Sequence, residues 1–256
     1  NSINTCFFAV SDVVKNDFQK SLGFKNIATL YNSIDIESFS RQGHDLDSIR
    51  KKFGFRKNDR IILNVGRLHA QKGQLDLIKA FNILYGTYPD LKLLIVGNGP
   101  KEKELKTIVH DLGLNDKVKF LGEIREIEEI YKIADVFVLP SLYEGFGIVV
   151  IEAMASAVPV VATAVDGINE IAESYKDAIL ISPRSPSQIA SAINELLDKP
   201  ALARKLVENA KTKVQDKFDI RKKIKETEDI YLNLIRSKIG DRVVTICRKK
   251  TIASIF

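Results

Sequence analysis

Two stretches of this sequence combine residue types and spacing suited to phosphate and sugar chemistry. The first runs Pro140-Ser141-Leu142-Tyr143-Glu144-Gly145-Phe146-Gly147, then Ile148-Val149-Val150-Ile151-Glu152-Ala153-Met154-Ala155. The apolar run ending at Leu139 reads as a strand, and Gly145 and Gly147 allow a ligand close to the backbone. A helix opening near Gly147 would leave unpaired N–H groups at its positive end, a ready phosphate site. Glu152 would then lie within an apolar helix, where an unpaired carboxylate is costly to bury. Two sugar hydroxyls donating to it would remove that cost. The alternative is a core strand over Ile148–Ile151 with Glu152 on the surface at its end, and four β-branched residues in a row favour it.

The second stretch is Gly66-Arg67-Leu68-His69-Ala70-Gln71-Lys72-Gly73, directly after another apolar run. An Arg and a Lys five positions apart on one loop can converge on a diphosphate, one as a planar fork and the other as a mobile point charge. Taken alone, the same two cations would be ordinary solvated loop residues. Asp45-Leu46-Asp47 matches an acidic metal-binding triplet, but its place before Ile49 and Phe53 predicts a helix cap. His44, His69 and His110 share no metal-ligand spacing, and His69 is expected to face solvent. Gly97-Asn98-Gly99 reads as a turn beside a cleft and lacks the full dinucleotide fingerprint, which argues against a nicotinamide enzyme. The order of residues reveals no Ser-His-Asp grouping.

The elements that must position these loops alternate with regularity. Ile61–Val65, Lys92–Val96, Lys117–Leu121, Asp135–Leu139, Pro159–Thr163 and Ala178–Ile181 are short, mostly β-branched runs, predicted as strands buried on both faces. Between the first two, Leu77, Ile78, Phe81, Leu84 and Tyr85 mark one helical face that ends at Pro89. Between the next two, Leu105, Ile108, Val109 and Leu112 form another, stopped by Gly113. Crossovers of this length predict an α/β domain over 58–217, a doubly wound parallel sheet whose ligands lie beyond the carboxyl ends of the strands. Residues 1–40 hold two strand-like runs, Cys6–Val10 and Ile27–Leu30, around a short helix, too little for a core of their own. Residues 41–57 read as a polar connector. A helix over 218–235 places Ile220, Ile224, Tyr231 and Ile235 on one stripe, and a basic tail with Arg248, Lys249 and Lys250 fills 239–256.

The two loops together resemble the retaining E-x7-E glycosyltransferases of GT-B fold, glycosyltransferase family 4. The resemblance rests on Val65-Gly66-Arg67-Leu68…Lys72-Gly73 and on Glu144-Gly145-Phe146-Gly147…Glu152-Ala153-Met154-Ala155. Val96-Gly97-Asn98-Gly99-Pro100 and Pro159-Val160-Val161-Ala162-Thr163 look like two further blocks of that family, and the likeness runs from about Ala9 to Ile235. It implies that 58–217 is the Rossmann-like nucleotide-sugar (donor) domain, and that 1–40 is a remnant of the N-terminal acceptor domain. Tyr31-Asn32-Ser33-Ile34-Asp35 would then lie at the interdomain hinge, with 218–238 as the helix crossing back. Arg67 and Lys72 would neutralise the departing nucleoside diphosphate without a metal ion, and Glu144 would hold donor-sugar hydroxyls. Glu152 would take the ribose hydroxyls, and amides at Phe146 and Gly147 the phosphates. Gly66, Gly97, Asn98, Gly99 and Gly145 would complete the donor site. The resemblance also implies a helix rather than a strand over Ile148–Ile151. The sequence departs from the family at Ser33 and Ala157, where glycine is usual, and at Val165-Asp166-Gly167-Ile168-Asn169-Glu170, which lacks paired glycines and a proline. Ala157 requires a backbone that tolerates a methyl group.

Composition sets the outer bounds. The 256 residues are 45% hydrophobic and 28% charged, the balance of an ordinary globular chain, and no apolar run is long enough to cross a bilayer. Cys6 and Cys247 form no disulfide scaffold and fit a reducing compartment, so the expected location is the cytoplasm, with the tail bringing it to the membrane face. The net charge of +6 suits phosphate-bearing ligands or an anionic membrane. Without an aromatic RNA-binding signature or a helix-turn-helix pattern, nucleic acid is not an expected partner. The only methionine is Met154, residue 1 is Asn, and no secretory leader is evident, so residues upstream are expected. The reading is the donor-binding part of a glycosyltransferase that moves a sugar from a UDP- or GDP-sugar to an acceptor glycan or lipid-linked sugar, with no cofactor. Its rivals are a nucleotide-sugar-binding subunit without transfer activity, and a GT-B-like sugar-nucleotide epimerase, which the E-x7-E spacing disfavours.

Overall fold

The structure, a computed structural model, describes residues 7–40 and 45–239. The basic tail, both cysteines and His44 lie outside them. An N-terminal unit consists of β1 (Phe7–Ala9), α1 (Asp12–Leu22) and β2 (Ile27–Thr29), the two strands pairing in parallel across the helix. None of the α1 residues is buried, as expected for a segment too small to enclose a core.

The expected connector is not structureless. It holds α2 (Leu46–Lys52), whose N-terminus is capped by the Asp45 carboxylate accepting from the Asp47 and Ser48 amides. Asp45 is thus the cap that its place before Ile49 and Phe53 predicts, while only Ile49 of the helix itself is buried, so the rest of the segment reads as a polar connector. The six expected strands follow as β3 (Arg60–Val65), β4 (Leu91–Val96), β5 (Val118–Gly122), β6 (Val136–Leu139), β7 (Val160–Thr163) and β8 (Ile179–Ile181). The helices between them are α3 (Gln74–Leu84), α4 (Glu102–Asp111), α5 (Ile127–Ile133), α6 (Ile148–Ala155) and the short α7 (Asp166–Asn169). After β8 come α8 (Pro186–Asp198), α9 (Pro200–Lys217) and α10 (Ile220–Ile239). The Ile148–Ile151 run is therefore helical, its β-branched side chains held by burial of Val150 and Ile151. Tyr85 leaves the α3 stripe at its C-cap and is exposed.

All six strands are parallel, in the order β5-β4-β3-β6-β7-β8. Strand alternation splits the core in two. Ile61, Leu63, Leu94, Phe137 and Ala162 face α5, α6 and the end of α9, while Ile62, Leu93, Ile95, Val138 and Val161 face α3, α4 and α8. The chain winds outward through β4 and β5, then returns to start β6 on the other side of β3. The switch point between β3 and β6 is where such sheets open a crevice at their carboxyl ends.

The N-terminal unit is fastened to this sheet at two places. Glu170, just after α7, accepts from the Asp12 and Val13 amides at 2.8 and 2.7 Å, and Ser11 donates to the Gly145 carbonyl at 2.6 Å. The 165–170 stretch that departs from the family pattern thus carries the contact that docks α1. Ile34 forms a parallel bridge with Asp219, its N–H donating to Phe218 O and its carbonyl accepting from Ile220 N–H, both at 3.0 Å. The α10 stripe is exposed at Ile220, Ile224 and Tyr231, which with Phe8 and Val10 line an open apolar groove.

Of the two glycine replacements, Ser33 is not at positive φ, whereas Ala157 sits at φ 54. The methyl fits, but in a left-handed conformation that strains an L-residue by about 1–2 kcal/mol. Ala157→Gly is expected to raise stability by about 0.5 kcal/mol after the larger unfolded-state entropy of glycine is subtracted. Urea unfolding checks it, and a lower midpoint would contradict the assignment of strain.

Candidate functional site

Five neighbouring strands end in loops that are stitched together by backbone hydrogen bonds. Gly97 N–H donates to Gly122 O at 2.7 Å, joining the β4 and β5 loops, and Leu68 N–H donates to Asn98 O at 2.7 Å, joining β3 to β4. Across the switch point, Leu142 N–H donates to Gln71 O at 2.7 Å and the Gln71 amide donates to Tyr143 O at 3.0 Å. Gly167 N–H donates to Glu144 O at 3.2 Å, adding the β7 loop. The result is a continuous rim along the carboxyl ends.

Glycines 97 and 99 earn their places through this stitching. A Cβ on Gly97 would lie 2.1 Å from the Gly66 carbonyl oxygen, and one on Gly99 2.4 Å from Leu68 O. Backbone proximity between loops therefore accounts for both. Asn98 is exposed and donates to the Glu123 carboxylate at 3.1 Å.

At the switch point the two sequence motifs meet. Lys72 Nζ lies 2.6 Å from Glu144 Oε1, and Ser141 Oγ donates to the same oxygen at 2.7 Å. The Glu144 side chain is only 8% exposed and that of Lys72 23%, so the pair is largely shielded from the screening that makes surface ion pairs weak. Ser141 is itself fixed, since its carbonyl accepts from Thr163 Oγ1. Arg67 projects into solvent from the same loop, its carbonyl held by the Gln74 amide at 3.0 Å. His69 is exposed as expected, and its Nδ1 accepts from Gln71 N–H.

Gly147 opens α6 at φ 88 without a side-chain cap, leaving the first amides of that helix beside Glu144. Phe146 is buried, its ring 5.9 Å from Tyr31 and 5.8 Å from Phe218, so its side chain anchors the loop while its amide belongs to the rim. Glu152 lies one turn further on, half-buried, accepting from the Tyr131 hydroxyl at 2.8 Å. Burial pushes its carboxyl above the ordinary range, the Tyr131 hydrogen bond opposes that rise, and Glu128 adds to it.

Sequence reasoning assigned Lys72 and Glu144 separate duties and did not foresee their pairing. It also missed Ser141, three residues before Glu144, and Tyr131, which reads as ordinary core. The Ser-x-x-Glu spacing was a usable signal for the first; nothing in the pattern marks the second.

Residues 45–213 match the family model for glycosyl transferases group 1. The chain belongs to that family. It is 34% identical over 209 residues to an uncharacterized glycosyltransferase of Methanocaldococcus jannaschii, covering 80% of this chain and 53% of the relative. Among solved structures, Anabaena HepE in complex with UDP-glucose superposes with a TM-score of 0.83 at 26% identity, covering 90% of this chain and 64% of that one. The C-terminal domain of a Francisella tularensis group 1 glycosyl transferase gives a TM-score of 0.66 at 28% identity, covering 73% of this chain and 99% of that domain. The group 1 chain thus spans about half the length of the curated relatives it matches, and its sheet is the Rossmann-like half of a GT-B fold. Among the described residues, no helix is long and apolar enough to cross a membrane.

Proposed function

We propose that this chain is the donor-binding half of a retaining glycosyltransferase that moves a sugar from a UDP- or GDP-sugar to an acceptor glycan or lipid-linked sugar. The observation that carries the reading is the Lys72–Glu144 pair at the switch point, where a cation and a carboxylate share one shielded crevice. Lys72 reaches Glu144 through a flexible stem, so an incoming diphosphate can draw the ammonium away. That exchange leaves Glu144, still held by Ser141, free to accept hydroxyls of the donor sugar. Arg67 closes over the diphosphate from the exposed side, and the Phe146 and Gly147 amides add neutral donors. Glu152 accepts the ribose hydroxyls.

In this reading the charge that develops on the leaving diphosphate is met by Arg67, Lys72 and the α6 amides, donors set in place before the reaction. No metal ion is assigned a part. The location that fits is the cytoplasm, at the membrane face where the basic tail would meet anionic lipid. The UDP and UDP-glucose bound by HepE support a nucleoside-diphosphate donor, and the matched Francisella domain supports the assignment to one half of the enzyme.

Titration calorimetry of the chain with UDP, GDP and ADP, each with and without a chelator, tests the reading. Binding of at least one nucleotide, unchanged by the chelator, is the expected result. Failure of all three, or binding abolished by the chelator, would overturn it.

A further inference from the structure

We infer that Tyr131 is a positioning residue for the nucleotide, acting through its hydrogen bond to Glu152. This rests on the proposed role of Glu152 as the ribose-binding carboxylate. Tyr131 is fully buried on α5, its ring 5.8 Å from Phe39 and 5.7 Å from Phe137, so the phenol cannot swing to another partner. It has a single proton, and its shorter contact is Glu152 Oε2 at 2.8 Å, against 3.3 Å to Val149 O. One carboxylate oxygen is thereby held from the protein side. The carboxyl plane is fixed, and Oε1, which has no hydrogen-bond partner among the described residues, is left to accept from a ligand.

The bond has an electrostatic consequence as well. A carboxylate partly desolvated on an apolar helix tends to take up a proton, and a protonated acid is a poorer acceptor for two hydroxyls. Among the described residues the titratable groups acting on Glu152 are both on α5: Tyr131, which favours the ionised form, and Glu128, which disfavours it. From α9, which also packs on α6, buried Ala210 and Val214 contribute only apolar surface to the same core. The phenol itself stays protonated, because burial and the adjacent carboxylate hold its pKa far above the usual value. Tyr131 thus keeps Glu152 both aimed and charged in the pH range where nucleotide binds.

The test is the ratio of affinities for a nucleoside diphosphate and its 2′-deoxy counterpart, UDP against dUDP, followed from about pH 5 to about pH 8. Titration of the phosphate and general damage to the fold affect both ligands alike and cancel in this ratio. The wild-type chain is expected to prefer the ribose form by about tenfold near neutrality, a charge-assisted hydrogen bond's worth, and to lose that preference as Glu152 takes up its proton. Tyr131→Phe should reduce the neutral-pH preference about threefold and shift its acid midpoint to higher pH. Tyr131→3-fluorotyrosine, which keeps the ring and strengthens the donor, should shift the midpoint to lower pH. A wild-type ratio and midpoint in either variant would overturn the positioning role. A full ribose preference in Glu152→Gln would instead overturn the ribose assignment beneath it.

Discussion

Lys72→Met is expected to melt well below the wild-type chain, because it strands a shielded carboxylate. Methionine keeps most of the lysine stem but removes the ammonium 2.6 Å from Glu144, leaving Ser141 as the remaining donor to that oxygen. Removing one partner of a buried pair costs about 3–5 kcal/mol, and the partial exposure of Lys72 puts this case near about 3. For a chain of this size that corresponds to roughly 6–12 °C in Tm. The double variant Lys72→Met/Glu144→Gln should recover most of the loss, since a neutral amide no longer needs the cation. Nucleotide affinity should stay low in both, as the cation is missing from both. Calorimetric melts and titrations read the two effects separately. Equal melting of the single variant and the wild type would show that the pair is solvated, and the partner-exchange step in the proposed mechanism would lose its basis.

Gly167→Ala is expected to weaken nucleotide binding strongly although Gly167 is itself assigned no contact with the ligand, because the added methyl presses on the backbone of residues that are. A Cβ at 167 would stand 2.4 Å from Glu144 O, 2.7 Å from Gly145 C and 2.8 Å from Phe146 N. All three are backbone atoms of the rim, so no side chain can rotate aside. Either α7 retreats and the Gly167–Glu144 hydrogen bond is lost, or the Glu144–Gly147 loop moves with its amides. Overpacking of this kind costs about 1–3 kcal/mol in stability, and the displaced loop should weaken nucleotide binding at least tenfold, about 1.4 kcal/mol. Gly113→Ala serves as the comparison. It lies at φ 67 with nothing within 4 Å of the added methyl, so backbone strain of about 1 kcal/mol is expected with full binding. Wild-type affinity in Gly167→Ala would mean that the rim does not hold the ligand.

The parts of this molecule that were legible in the sequence are those set by local chemistry. Short β-branched runs such as Ile61–Val65 and Pro159–Thr163 announced buried parallel strands, and glycine-rich loops after Val65 and Leu139 announced the turns at the carboxyl ends of the sheet. The illegible parts depend on which loops become neighbours. Lys72 and Glu144 lie on the loops of two strands that pair only because the chain crosses back over β3, and no periodicity encodes that crossing. Tyr131 escaped notice because burial of its ring gives the same signal as phenylalanine, while its bond to Glu152 depends on one hydroxyl. The α2 helix was legible at its start, where Asp45 reads as a cap, but not along its length, because a single buried residue, Ile49, cannot draw an apolar stripe. The family resemblance identified the loops at 66–73 and 144–152 but left unexplained the 165–170 stretch, which the structure ties to α1 through Glu170.

The bridge between Ile34 and Asp219 has a mechanical consequence. The chain passes from the N-terminal unit toward the sheet near Ile34 and leaves α9 for α10 at Phe218, and these two passages are hydrogen-bonded to each other at 3.0 Å on both sides of Ile34. Two strands of chain joined at one point behave as a pin. Any reorientation of the N-terminal unit that preserves the pin is a swing about it, whereas sliding or lifting would break both hydrogen bonds. The far end of that swing is α1, whose fastenings are the Glu170 carboxylate and the Ser11 hydroxyl on Gly145. Opening the unit away from the rim therefore means releasing those polar contacts and the packing of Tyr31 on Phe146, and because Ser11 grips the loop that begins α6, the latch and the rim are a single piece of backbone.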